Sequence, residues 1–182
     1  VREDDVTDEL GELVRQQFLE RADKPDGQRP DTYDPASVSP DEREYRFVNA
    51  VTREVAARSL LPDEAAELHE KVAEYLDDNI EEPTVADRAL MARHLEGAGE
   101  TERAMRYYLS AADEALEHFG AAESLRLADR ALDLADEGGT DAFRAEQLRE
   151  RALSILGENE RAEEVLERLV ELADELGEPD EK

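Results

Sequence analysis

From Pro62 onward, small and apolar residues recur at a spacing that packed α-helices satisfy and strands do not. Met91, Ala92 and Leu95 fall on one helical face, and Ala104, Tyr108 and Ala111 fall on the face of the next helix. Ser124, Ala128 and Ala131, then Ala162, Leu166 and Leu169, repeat that second pattern. Small residues at such places let two helices approach closely, and a large one such as Tyr108 fills the gap against a neighbour. Recurrence of this kind marks stacked helical hairpins, each burying its apolar face against the next.

Breakers divide this half into helices over 62–79, 85–96, 102–117, 121–136, 141–156 and 160–176. Pro62 suits a first helical turn, and the first helix carries Leu68, Val72, Tyr75 and Leu76 as its stripe. Gly138-Gly139 reads as a helix stop and Thr140 as the cap of the next helix. The hairpin formed by the second and third of these helices matches the tetratricopeptide pattern. Glu150 stands where the last hairpin wants a small residue, which makes that repeat degenerate. Groove-facing positions on the hairpins' first helices, the candidate protein-binding set, are Ala89, Arg93, Glu96, Gln147 and Arg151. Residues 178–182 read as a frayed tail.

Before Pro62 the pattern is mixed. A short amphipathic helix over 8–17 carries Leu10, Leu13 and Val14. Strands are expected over 18–22 and 44–48, the second with Tyr45 and Phe47 on one face. Between them, residues 23–42 hold four prolines and a glycine, which reads as a long hairpin loop, a wing. Asn49 is placed to cap a helix with Val51, Val55 and Ala56 at helical spacing, closed by Leu60-Leu61-Pro62. The expected architecture is mostly α: a partial winged helix with two short strands over residues 1–60, then tetratricopeptide-like antiparallel hairpins over 61–177.

The run from Phe47 to Leu61, followed by Leu68-His69, resembles the region just after the ATPase core in the signal-transduction ATPases with numerous domains. These are predicted ATPases joined to bacterial cyclases, kinases or transcription regulators. The resemblance implies a winged helix followed by helical repeats, acting as a regulatory arm. It also implies an ATPase module upstream of Val1, and the chain, which starts at Val, reads as a fragment of such a protein. The family has histidine where this chain has Asn49, and histidine at a comparable place senses nucleotide in related ATPases. Asn49 is thus the candidate nucleotide-sensor position, able to hydrogen bond but not to carry charge. Ala57 replaces a tyrosine usual in the family. No phosphate-binding G-x-x-x-x-G-K-[ST] run exists in the chain.

Charge narrows the function. The net charge is −28, with 50 acidic residues against 22 basic ones, of which three are lysines. This resembles the composition of proteins from salt-in halophiles, whose acidic surfaces repel in dilute buffer and are screened in salt. It argues against a nucleic-acid surface, which needs a basic face. A winged helix acting as a DNA-binding regulator is the alternative reading, and residues 1–60 are the less acidic part. With no Cys there is no thiolate metal site. His69-Glu70-x-x-Ala73 starts like a zinc-protease helix but lacks the second histidine. His69, His94 and His118 therefore read as solvated or hydrogen-bonded helix residues. No apolar run reaches the roughly 18 residues of a membrane span. The expectation is a cytoplasmic, non-enzymatic interaction module with no cofactor and no metal. Its partners would be a protein and its own upstream ATPase.

Overall fold

The computed structural model describes residues 3–21, 45–136 and 138–177. The chain divides into two compact units, Val1–Ala65 and Ala66–Lys182. The proline-rich loop expected over 23–42 and the tail over 178–182 lie outside the described residues.

In the first unit, α1 (Glu3–Arg15) closes through Gln17, whose φ of 61° turns the chain so that the Phe18 N–H reaches the Leu13 carbonyl at 3.0 Å. This delivers β1 (Leu19–Arg21), which pairs antiparallel with β2 (Tyr45–Phe47), Leu19 opposite Phe47 and Arg21 opposite Tyr45. Leu19 is the buried member of the ribbon. The helix α2 (Ala50–Ser59) starts as its sequence requires: the Asn49 side-chain oxygen accepts the Thr52 N–H at 2.8 Å. Its apolar residues behave differently from expectation. No residue of α2 is buried, and Val51 and Val55 stand exposed, because equal spacing aligns side chains without supplying a surface to cover them.

From Ala66 onward the second unit is helical: the rest of α3 (Pro62–Asn79), then α4 (Val85–Gly97), α5 (Thr101–Glu117), α6 (Ala121–Leu134), α7 (Thr140–Leu156) and α8 (Asn159–Gly177). From α4 to α8 each helix packs on the next, and α5 also touches α7. The small residues named above do what their spacing demands. Ala92, Ala104, Ala111, Ser124, Ala128, Ala131 and Ala162 are all buried at helix contacts, with Met91, Leu95 and Tyr108 beside them.

Four details differ from the sequence expectation. On α3 the buried residues are Ala73 and Leu76, while Leu68, Val72 and Tyr75 are exposed. The small Ala73 face lets α3 settle against Leu95 and Ala104. The helix α6 stops at Leu134, ahead of the glycine pair, and Gly139, not Thr140, is the N-cap of α7. On α8 the face toward the core runs through Ala162 and Val165, and Leu166 is left exposed.

Turns between helices rely on a left-handed residue. Gly99 and Gly157 take φ of 81° and 76°, and Phe119 takes 62°. Glycine adopts this region freely and phenylalanine does not. Phe119 is also 94% exposed, so it loses no packing on removal. Phe119→Gly should raise stability by about 0.5–1 kcal/mol, read as a higher urea midpoint.

Candidate protein-binding groove

The contact between α5 and α7 places these two helices side by side in one layer. Asp113 on α5 ties them together, accepting from Arg144 at 3.3 Å and lying 3.5 Å from Arg151, both on α7. Along α5, Arg106, Ser110, Asp113 and Glu117 recur every three or four residues and, with the C-cap His118, line the floor of a groove of about 700 Å³. Arg88 of α4, paired with Glu114, forms one wall, and Asp141 and Arg144 of α7 form the other. His118 Nδ1 donates to the Glu114 carbonyl at 2.9 Å, which fixes its ring at the groove end. The lining is charged almost throughout, with Leu109 its main apolar member. Small-molecule sites are enclosed and mostly apolar, so this groove suits a peptide segment carrying both charge signs.

The residues proposed from sequence divide between layers. Gln147 and Arg151 lie on α7, exposed, and Arg151 joins the Asp113 cluster. Ala89, Arg93 and Glu96 lie on α4, in contact with α5 but not on the α5–α7 face. Ala89 is buried against the core, which removes it from any binding surface. The Glu96 carboxylate is already engaged, by the Tyr108 hydroxyl and by Arg130. Arg93 is exposed. Which helices lie side by side is set by contacts that a local pattern does not encode. Asn49 uses its side-chain oxygen as the α2 cap, accepting from both Thr52 N and Thr52 Oγ1.

Two side-chain clusters escaped the sequence reading. Glu146 on α7 is only 3% exposed and holds Arg149 at 2.6 Å and Arg168 of α8 at 3.1 Å, while Arg149 also reaches Asp129 of α6 at 2.5 Å. Burial works against the Arg149 charge, but the Glu146 and Asp129 carboxylates outweigh it and hold the guanidinium above its ordinary pKa. Arg149→Ala should cost about 3 kcal/mol, the low end for breaking a buried pair, since Arg168 still faces Glu146. Glu146→Leu together with Arg149→Met should recover most of that loss in chemical denaturation.

The second cluster joins α3 to α4. His69 and His94 face each other with Nδ1 atoms 3.0 Å apart, one ring donating and the other accepting. A Cβ on Gly97 would meet the His69 ring at 2.8 Å, so the glycine makes room for it. Burial, then His69 and Arg93, push His94 below its usual pKa. The unfolded chain therefore binds a proton that the folded chain resists. Stability should be full above about pH 6.5 and fall as pH drops from there toward the folded-state pKa. His94→Gln should flatten that slope in melts between about pH 7 and 5. Ala73, at the place of a second zinc-protease histidine, is buried. No group of three or more metal-binding side chains occurs among the described residues, and no described helix is long and apolar enough to cross a membrane.

Comparison with known proteins finds no matching family model, no matching curated protein and no matching solved structure. The class that the fold defines is a mostly α protein in which a short antiparallel strand pair precedes packed helical hairpins.

Proposed function

We propose that this chain is a non-enzymatic, regulatory interaction module of a larger signalling ATPase, working in the cytoplasm. A winged-helix joint leads into a tetratricopeptide-like array, and the array holds a segment of a protein partner in the α5–α7 groove. The observation that supports this most is the charged, open groove bridged by Asp113, with the outward-facing Phe119 next to His118 at its end. An exposed aromatic in an unfavourable backbone conformation is the kind of feature that binding, rather than stability, maintains.

A displayed peptide library selected on the chain in molar KCl tests the reading. Enriched peptides should lose binding to Arg106→Glu and Arg144→Glu, and should bind Phe119→Gly more weakly although that variant is more stable. Enrichment indifferent to all three substitutions would refute the groove.

A further inference from the structure

The histidine pair between α3 and α4 has the dimensions of a metal chelate. His69 and His94 stand 25 residues apart in sequence, yet their Nδ1 atoms lie 3.0 Å apart and their ring centroids 5.0 Å apart. Metal–imidazole bonds are about 2.0–2.1 Å long, so two nitrogens on one ion lie about 2.9 Å apart at a right angle and about 3.4 Å apart at the tetrahedral angle. The same bonds hold the two ring centroids about 4.7–5.2 Å apart. Both observed separations fall inside these ranges. An ion can therefore take the place of the one hydrogen that the Nδ1 atoms share, by small rotations of the rings.

The surroundings fit the same role. A ligating imidazole must offer a bare nitrogen, and one Nδ1 of this pair is bare already, since it accepts the hydrogen bond. Both rings are half-buried, which leaves an ion a path of entry and room for water ligands. Gly97 gives the His69 ring its place, because a Cβ there would meet the ring at 2.8 Å. We propose that His69 and His94 form a two-histidine site for a borderline divalent transition-metal ion such as Zn²⁺, with water completing its shell. Imidazole selects such ions over Mg²⁺ and Ca²⁺, which take oxygen ligands. The consequence is mechanical. The helix α3 buries Ala73 and Leu76, and its Asp77 accepts from the Tyr107 hydroxyl of α5. A bridging ion adds a link from α3 to α4, and it stabilises the folded chain because the unfolded chain does not hold the two rings together. The site shares no residue with the lining of the α5–α7 groove, so the two readings stand or fall separately.

Calorimetric titration of ZnCl₂ into the full chain, in molar KCl at neutral pH, tests the site. Saturable binding of one ion per chain is expected, unmoved by excess MgCl₂ and accompanied by slowed hydrogen exchange in 66–79. His69→Gln and His94→Gln should each weaken binding at least about tenfold, since losing even a group behind a ligand costs about 10–100-fold. His118→Gln should bind as the parent does. Gly97→Ala keeps both histidines and favours the helix, yet it pushes the His69 ring aside and should also weaken binding. Circular dichroism checks that each variant is helical. Absence of saturable binding overturns the proposal. Binding that survives either histidine substitution, or that yields to Mg²⁺, also overturns it, by placing the ion on the acidic surface. Parent-like affinity in Gly97→Ala, or unchanged exchange in 66–79, would equally show that the ion does not bridge the two rings.

Discussion

Tyr108→Ala should lower the unfolding free energy by about 3–5 kcal/mol, the range for deleting a large aromatic from a packed core. Tyr108 is 1% exposed, among the alanines that let α4, α5 and α6 close on one another. The alanines flanking it on its own helix, Ala104, Ala111 and Ala112, have no side chain to extend into the space it leaves. Its hydroxyl donates to Glu96 at 3.0 Å, and Arg130 pairs with the same carboxylate, so one side chain ties α5 to α4 and, through Arg130, to α6. Burial first, and then the Glu96 carboxylate, hold its phenol above the ordinary tyrosine pKa, which keeps it a donor across the working pH range. Tyr108→Phe isolates the polar part and should cost about 1 kcal/mol. Urea titrations followed by helical circular dichroism measure both. An unchanged midpoint in Tyr108→Ala would mean that the helices are packed in a different register.

Stability should also climb steeply with KCl or NaCl into the molar range, with the helical array responding more than the N-terminal part. Residues 61–182 hold 35 acidic residues against 13 basic ones, and residues 1–60 hold 15 against 9. The arginines are largely committed to local pairs, such as Arg126 with Glu123 and Arg161 with Glu158, and exposed pairs of that kind contribute little. The surplus acids repel along exposed helix faces at a few tenths of a kcal/mol per like-charged pair spaced by about four residues. Many such pairs erode a large part of a typical stability of about 5–15 kcal/mol. Salt removes that cost by shortening the Debye length from about 10 Å at 0.1 M to about 3 Å at 1 M. Sulfate at equal ionic strength should add a further gain through stronger apolar burial. Melting temperatures that stay flat between about 0.1 and 2 M NaCl would leave the acidity as an ordinary solvated surface.

What could be read from the chain follows from how local each cause is. The Asn49 cap and the Pro62 helix start depend on neighbours within one turn, and both stand where the residues put them. The small-residue positions also came through, because alanine at a closely packed crossing is a steric requirement with few substitutes. Burial of larger apolar residues was less legible. Val51 and Leu68 share a face with other apolar residues and remain exposed, since periodicity aligns a face and the rest of the chain decides whether anything covers it. The α5–α7 groove was not legible because it rests on a helix contact that joins residues far apart in sequence. Glu146 escaped notice for the same reason. A glutamate on an arginine-rich helix looks solvated until Arg168 arrives from α8 and Asp129 of α6 holds the neighbouring Arg149 over it.

The groove is tested most directly by hydrogen–deuterium exchange of the chain in molar KCl, with and without a peptide selected on it. Binding along the α5–α7 layer predicts slowed exchange in 105–118 and 140–152, with α2 and the Arg93 face of α4 unchanged. Protection confined to α2 or to α4, with α5 and α7 exchanging as in the free chain, would contradict it.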